Sequence, residues 1–317
     1  MNSKYHYFIR IFFLFIVVNL CLVCGGCKKE SSSGVLGRTI CMKKICDDFE
    51  DENWKYDRTN NIDSRYYSAN GFWWGPDGKK GSDSSNRGDP AIVERIPTPK
   101  GGKIKSTGAL KIGTNIPDDD NRPTQDDFCT IGYEDILKCK LVRSDQPVFV
   151  VRVLLPPFNT WGEYYSFGFR QSARSDNTPK SYYPSIWLYK NPELQTDAGS
   201  YILPGTYLAF RIFSLEGLKP IPYPEFYPIK QYGWWTLAIA FDENGVCSYY
   251  AYPGTDASAL TEENKIFDDV QFMKKYGKKA LLMQYVHSGL FSLGYRPEKS
   301  NANLRFAIDD YEVWIAK

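Results

Sequence analysis

The chain has 317 residues, with 39 Lys and Arg against 37 Asp and Glu, and is close to neutral. Binding to nucleic acid depends on clustered cations, so so even a balance excludes a nucleic-acid partner. Aromatic residues make up 16% of the chain, including 23 Tyr and 8 Trp, a bias that favours β-sheet.

Lys4 and Arg10 open the chain with positive charge, and Ile11 to Val23 is apolar except at Asn19. That run is shorter than the roughly 20 residues a helix needs to cross a bilayer. A basic start, a short apolar stretch and small residues before a cleavage point describe a secretory signal. Gly25 and Gly26 stand directly before Cys27, which resembles the bacterial lipobox, although Cys24 replaces its usual leucine. The resemblance implies a signal peptide over residues 1–26 and lipidation at Cys27. It also implies a membrane partner through the lipid anchor, on the extracytoplasmic side of a bacterial cell envelope. The alternative is an ordinary signal peptide cut nearby, leaving Cys27 as a thiol. Residues 28–34 (KKESSSG) are polar and Ser-rich, so residues 27–45 are expected to be a flexible tether. Loss of Lys4 and Arg10 with the signal leaves 37 basic and 37 acidic residues.

Beyond Cys27 the chain carries Cys41, Cys46, Cys129, Cys139 and Cys247. Export permits disulfides. Close spacing suggests Cys41–Cys46 and Cys129–Cys139, but four cysteines allow three pairings and the sequence does not choose. The remaining cysteine reads as a buried thiol.

Residues 75–128 are rich in Gly, Asp, Pro, Asn and Lys, and read as long loops around a few short strands, one at Gly108–Ile112. Phe149, Val151, Val153 and Leu155 alternate and stop at Pro156-Pro157; Tyr165, Phe167 and Phe169 alternate next, then Leu208, Phe210 and Ile212. Trp235, Leu237, Ile239 and Phe241 precede the Asp242–Gly245 turn into Val246–Tyr252, which predicts a hairpin. Glu262–Tyr276 places Ile266, Val270 and Met273 on one stripe behind Thr261, which predicts a short helix. The last strand is apolar at 306 and 308, then at 311, 313 and 315, so a bulge is expected at Asp309-Asp310. No repeat of 20–50 residues appears. These elements predict one all-β domain over residues 46–317: a two-sheet antiparallel β-sandwich with long loops and at most one or two short helices.

Asp47-Asp48-Phe49-Glu50-Asp51 with Trp54, and Phe306 to Trp314 (FAIDDYEVW), resemble the bracketing strands of the concanavalin A-like lectin/glucanase superfamily. Gly233 to Phe241, followed by a turn and Val246 to Tyr250, resembles its late hairpin. The resemblance implies a jelly-roll sandwich whose first and last strands pair. It also implies a structural calcium between those strands, held by Glu50, Asp51, Asp309 and Asp310; calcium takes six to eight oxygen ligands. The alternative is that these carboxylates stay solvated, as Asp118–Asp120 should in a turn.

Chemistry has few candidates. His287 is the one histidine outside the signal, has Ser288 beside it, and lacks a Gly-x-Ser-x-Gly elbow. A lone histidine in an apolar strand is more often a satisfied core residue, and zinc sites of several histidines are excluded. Glucanases of the superfamily carry a Glu-x-Asp-x-x-Glu strand, which is absent here; Glu134-Asp135 and Glu262-Glu263 read as surface charge. Its lyases use Arg-rich, Gln-x-His and Tyr-rich strands. These motifs are not matched, which leaves Arg170, Tyr285 and His287 as the candidates for β-elimination. Sugars stack on flat aromatic faces. Trp73 and Trp74, Trp161, and Tyr183 near Trp187 are therefore the candidate ligand-binding residues, although about half of such aromatics should fill the core. The expected function is carbohydrate binding, with a polysaccharide partner and without catalysis. Alternatives are a glycoside hydrolase or polysaccharide lyase of the same fold, or a structural envelope protein without a small ligand.

Overall fold

Alternating side chains form strands here because each strand buries one face against a second sheet. The computed structural model describes residues 34–62, 65–68, 73–76, 87–88, 92–113, 125–160, 164–176, 178–191, 195–197, 200–202, 205–211, 213–214, 217–220, 226–295 and 305–316. The smaller sheet runs from Lys265–Asp268 (β22) through Cys247–Pro253 (β21), Gly233–Phe241 (β20), Val148–Leu155 (β10), Arg305–Ile315 (β24) and Gly108–Gly113 (β7) to Ile92–Pro97 (β6), with Ile40–Cys41 (β1) added on β24. The larger sheet runs from Phe226–Pro228 (β19) through Gly205–Arg211 (β16), Ser185–Asn191 (β13), Tyr164–Ser175 (β11), Met283–Tyr295 (β23), Gln125–Gly132 (β8), Trp73–Pro76 (β4) and Arg65–Ser68 (β3) to Tyr56–Ile62 (β2). Thr178–Tyr182 (β12) pairs with β11, Leu141–Val142 (β9) with β23, and Arg87–Gly88 (β5) with β8. Two ribbons complete the set: Gln195–Asp197 (β14) with Ser200–Ile202 (β15), and Phe213–Ser214 (β17) with Gly217–Pro220 (β18). Among the described residues β5–β8 is parallel and the other pairs are antiparallel. The architecture is the expected two-sheet antiparallel sandwich.

The core lies between the sheets. Phe149, Val151 and Val153 of β10, Leu237 and Ile239 of β20, and Ile308 and Val313 of β24 meet Phe167, Phe169, Ile186, Leu188, Phe291 and Leu293 of the larger sheet. Burying each such side chain contributes about 1.5–3 kcal/mol, so this layer dominates the stability. The hairpin expected at 235–252 is β20–β21, closed by Gly245 N–H to Asp242 O at 2.9 Å. The bulge in β24 also forms. Val151 faces Tyr311 but Arg152 faces Asp309, which leaves Asp310 as the extra residue with φ 55°.

Three expectations change. The helix over 262–276 is split: Thr261 caps a 3₁₀ turn at Glu262–Asn264, β22 follows, and Asp269–Lys275 (α2) starts behind Asp268, which accepts from Gln271 N–H. Phe267 gains more by packing on Phe210 and Tyr249, with centroids at 4.8 and 4.9 Å, than by joining a helix. Val270, placed on the buried stripe, is instead 42% exposed. Tyr133–Leu137 (α1) is the other short helix among the described residues.

The tether expected over residues 27–45 is folded from Gly34 onward. Val35 is buried on the outer face of the smaller sheet, Arg38 donates to Gln146 O and Phe241 O, and β1 pairs with β24. Cys27 and the signal segment lie outside the described residues. Among the described residues no helix is long and apolar enough to cross a membrane.

Cys129 is packed in the core whereas Cys139 is exposed, so the pairing suggested for them does not form.

Candidate functional site

The four carboxylates expected to hold calcium come from neighbouring segments, as the bracketing strands require. Asp47 and Tyr311 exchange backbone hydrogen bonds of 2.9 and 2.8 Å. The carboxylates nevertheless do not converge. Glu50 accepts from Thr107 N–H at 3.0 Å and Asp51 from Asn53 N–H at 2.9 Å. Asp309 accepts from Lys103 N–H at 2.9 Å and from Ser106 Oγ at 3.0 Å. The Lys103 ammonium sits 2.7 Å from Asp310, and Arg152 reaches Asp310 at 3.0 Å and Glu312 at 2.8 Å. A cation is needed here, and the chain supplies two of its own. Residues paired in this way do not fit calcium, and among the described residues no three His, Cys, Asp or Glu side chains form a metal-holding group.

Burial pushes the Asp310 carboxyl up to about 6, against the pull of Arg152 and Lys103. A carboxyl raised in the folded state favours folding most below its unfolded value near 4. That contribution falls as pH rises through about 6. Asp310→Asn should therefore gain stability relative to the parent between pH 4 and pH 7, by at most about 3 kcal/mol. Urea unfolding at both pH values reads this, and an unchanged difference would contradict it.

Trp73 is a second correction. It is 0% exposed, stacks on Phe291 with centroids at 4.8 Å, and donates its indole N–H to Asp47 at 2.8 Å. Trp54 donates to the same Asp47 oxygen at 3.1 Å. A ring with no face in solvent cannot stack on a sugar, so Trp73 is a core residue. The backbone of Trp74 pairs with Thr130 in the β4–β8 register, and its side chain lies outside the described residues. Trp161 also lies outside them.

The outer face of the larger sheet carries the strongest chemistry. On β11, Phe167, Phe169 and Ala173 enter the core, so Arg170, Ser172 and Arg174 project outward. On β13, Ile186 and Leu188 are core while Trp187 and Tyr189 build a separate outer cluster with Ala209, Tyr207 and Phe226. Gly168 lies opposite Trp187, and a Cβ there would stand 2.8 Å from the indole, so glycine lets the ring lie across β11. The Arg170 guanidinium is 5.1 Å from the Tyr183 ring and 5.6 Å from Trp187, and Arg211 covers Trp187 at 4.8 Å. Arg170 also donates to Ser292 Oγ at 3.1 Å.

Beside this stack lies His287. Its Nε2 is 2.9 Å from Ser172 Oγ and 3.2 Å from Ser181 Oγ, and its Nδ1 is 3.5 Å from Ser288 Oγ. Tyr285 stands 6.4 Å away between ring centroids, with the Lys140 ammonium 4.1 Å from its own ring. Burial and the charges of Arg174 and Lys140 lower the His287 pKa, with Glu134 opposing them. The imidazole is therefore neutral near pH 7. Arg174 keeps its Nε without a hydrogen-bond partner among the described residues.

Four sequence candidates, Arg170, Tyr183, Tyr285 and His287, thus share one face. Ser172, Ser181, Arg174 and Trp187 complete it. Ser172 and Arg174 were detectable as i+2 and i+4 from Arg170. Ser181 was not, because its proximity depends on β12 folding back along β11.

No family model matches the chain, and no curated protein sequence matches it. Solved structures overlap it loosely. The exoplasmic/lumenal domain of VIP36 in its Ca2+/Man-bound form is 9% identical over 87% of this chain and 91% of that one, with a TM-score of 0.39. An endo-β-1,4-glucuronan lyase from the fungus Trichoderma reesei is 9% identical over 87% and 95%, with a TM-score of 0.43. A carbohydrate esterase from bacteriophage phi24B is 10% identical over 72% and 89%, with a TM-score of 0.39. Overlaps of this size carry no argument about activity.

Proposed function

We propose that the protein is a carbohydrate-binding lipoprotein of the bacterial cell envelope, tethered through Cys27, whose outer sheet face takes an acidic saccharide. The observation that carries this reading is the layered set Arg211–Trp187–Arg170–Tyr183, with Arg174, Lys140 and His287 beside it. Tyr183 is half-buried and offers a ring to the apolar face of a pyranose, whereas Trp187 is fully buried and packs behind Arg170 and Arg211; the half-buried Arg174 and Arg211 carry guanidinium groups that suit a sugar carboxylate or sulfate. Glu134 is the acid opposing these charges, whereas Asp176 is taken by Arg143 at 3.0 Å. An overall neutral chain that gathers cations on one face selects ligand charge there. Calorimetric titration of the full chain with an oligouronate and with its neutral counterpart tests the reading. Heat is expected with the acidic oligosaccharide and should fall as salt rises. Absence of heat with both would end it.

A second reading is β-elimination on the same face, favoured by a neutral His287 beside Tyr285 and Arg170. It requires an unsaturated product, detectable by its ultraviolet absorbance, that disappears in His287→Ala.

A further inference from the structure

The N-terminal segment is fixed to the last strand at two points that flank two thiols. Cys41 pairs with Trp314, Met42 N–H donates to Val313 O at 2.7 Å, and Asp47 N–H donates to Tyr311 O at 2.9 Å. Between these anchors the 3₁₀ turn Lys43–Ile45 folds the chain back, and Ile45 N–H closes on Met42 O at 2.9 Å. The turn brings the Cys41 and Cys46 sulfurs to 3.5 Å, while Cys46 Sγ also accepts from Val313 N–H at 3.3 Å. Sulfurs in contact on an anchored backbone need a small further approach to reach bonding distance. Both residues are partly exposed, so an oxidant can reach them. Cys129 and Cys247 are buried, and Cys139 is exposed.

We propose that Cys41 and Cys46 are an oxidation site that closes to an intramolecular disulfide, clasping the N-terminal segment onto β24. The oxidant is a disulfide, either a protein thiol–disulfide oxidoreductase or a small-molecule disulfide. The Cys41 thiolate attacks one oxidant sulfur and expels the other as a thiol. Cys46 then loses its proton and attacks Cys41, releasing the second thiol. The oxidant gains two electrons and two protons, and the chain loses them. The hydrogen bond from Cys46 lowers the Cys41 pKa and raises that of Cys46, which makes Cys41 the first nucleophile. This clasp is independent of the saccharide reading.

The test is to equilibrate the reduced full chain with mixtures of reduced and oxidised glutathione, block residual thiols, and digest with trypsin. Cleavage after Lys43 and Lys44 separates Thr39–Lys43 from Ile45–Lys55, so a surviving link is seen directly as a joined pair of peptides. The pair is expected to form in the folded chain at about tenfold less oxidised glutathione than in the urea-unfolded chain. Cys46→Ser is expected to stop at a glutathione adduct on Cys41. Equal behaviour of the folded and unfolded chains would overturn the proposal. Separate glutathione adducts on both cysteines of the folded parent, or two untouched thiols, would do the same.

Discussion

Trp73→Ala lowers the stability of the domain by about 3–5 kcal/mol and leaves saccharide binding by the folded fraction unchanged. The loss has two parts. A fully buried indole leaves a cavity between Phe291 and Tyr311, whose ring centroids lie 4.8 and 5.3 Å away. Asp47 also loses one of the two indole donors that satisfy its buried carboxylate oxygen. Trp73→Phe separates the parts, because it keeps most of the ring and removes only the donor. It should cost about 1–3 kcal/mol. Urea unfolding followed by tryptophan fluorescence and circular dichroism measures both variants. A Trp73→Ala protein of near-parental stability that had lost ligand binding would return Trp73 to the role of a contact residue.

The second large effect concerns charge. Arg174→Glu reverses a cation on the outer sheet face without touching the core, and should weaken binding of an acidic oligosaccharide by about tenfold or more. Raising salt should reduce the gap between variant and parent, since exposed charges are screened within about 10 Å at 0.1 M. His287 gives an independent check of sign. Its pKa lies below the ordinary histidine value, so it is neutral near pH 7 and gains a proton only as pH falls further. Binding of an anionic ligand should therefore tighten below that point in the parent, and His287→Ala should lose this tightening. A flat profile in both proteins would place the anion away from His287.

Features set by neighbouring residues were legible before the fold was known. The Asp242–Gly245 turn announces its hairpin, and the change of phase across Asp309-Asp310 announces its bulge, because both are written in period-two patterning. Trp73 reads as a ligand contact in the sequence because it stands among glycines and prolines beside the loop-rich stretch that begins at residue 75. The segment instead continues as the short strand β4, which pairs with β8 and buries Trp73 in the core. The pairing of the bracketing segments was legible from their motifs, but their counter-ion was not. Lys103 comes from a Gly- and Lys-rich turn whose position depends on β6 and β7 closing beside β24. The site face was visible in pieces. Arg170 and His287 are 117 positions apart in the chain, and only the antiparallel register of β11 with β23 makes them neighbours on one surface.

Selection of a saccharide by its negative charge on this surface is tested most directly by one titration. Parent and Arg174→Glu chains are titrated at low salt with the same oligouronate and with its carboxyl-reduced form. The parent is expected to bind the oligouronate, the variant to bind it about tenfold more weakly, and neither protein to respond much to the reduced form. Equal affinity for both oligosaccharides, unaltered by Arg174→Glu, would contradict selection by charge.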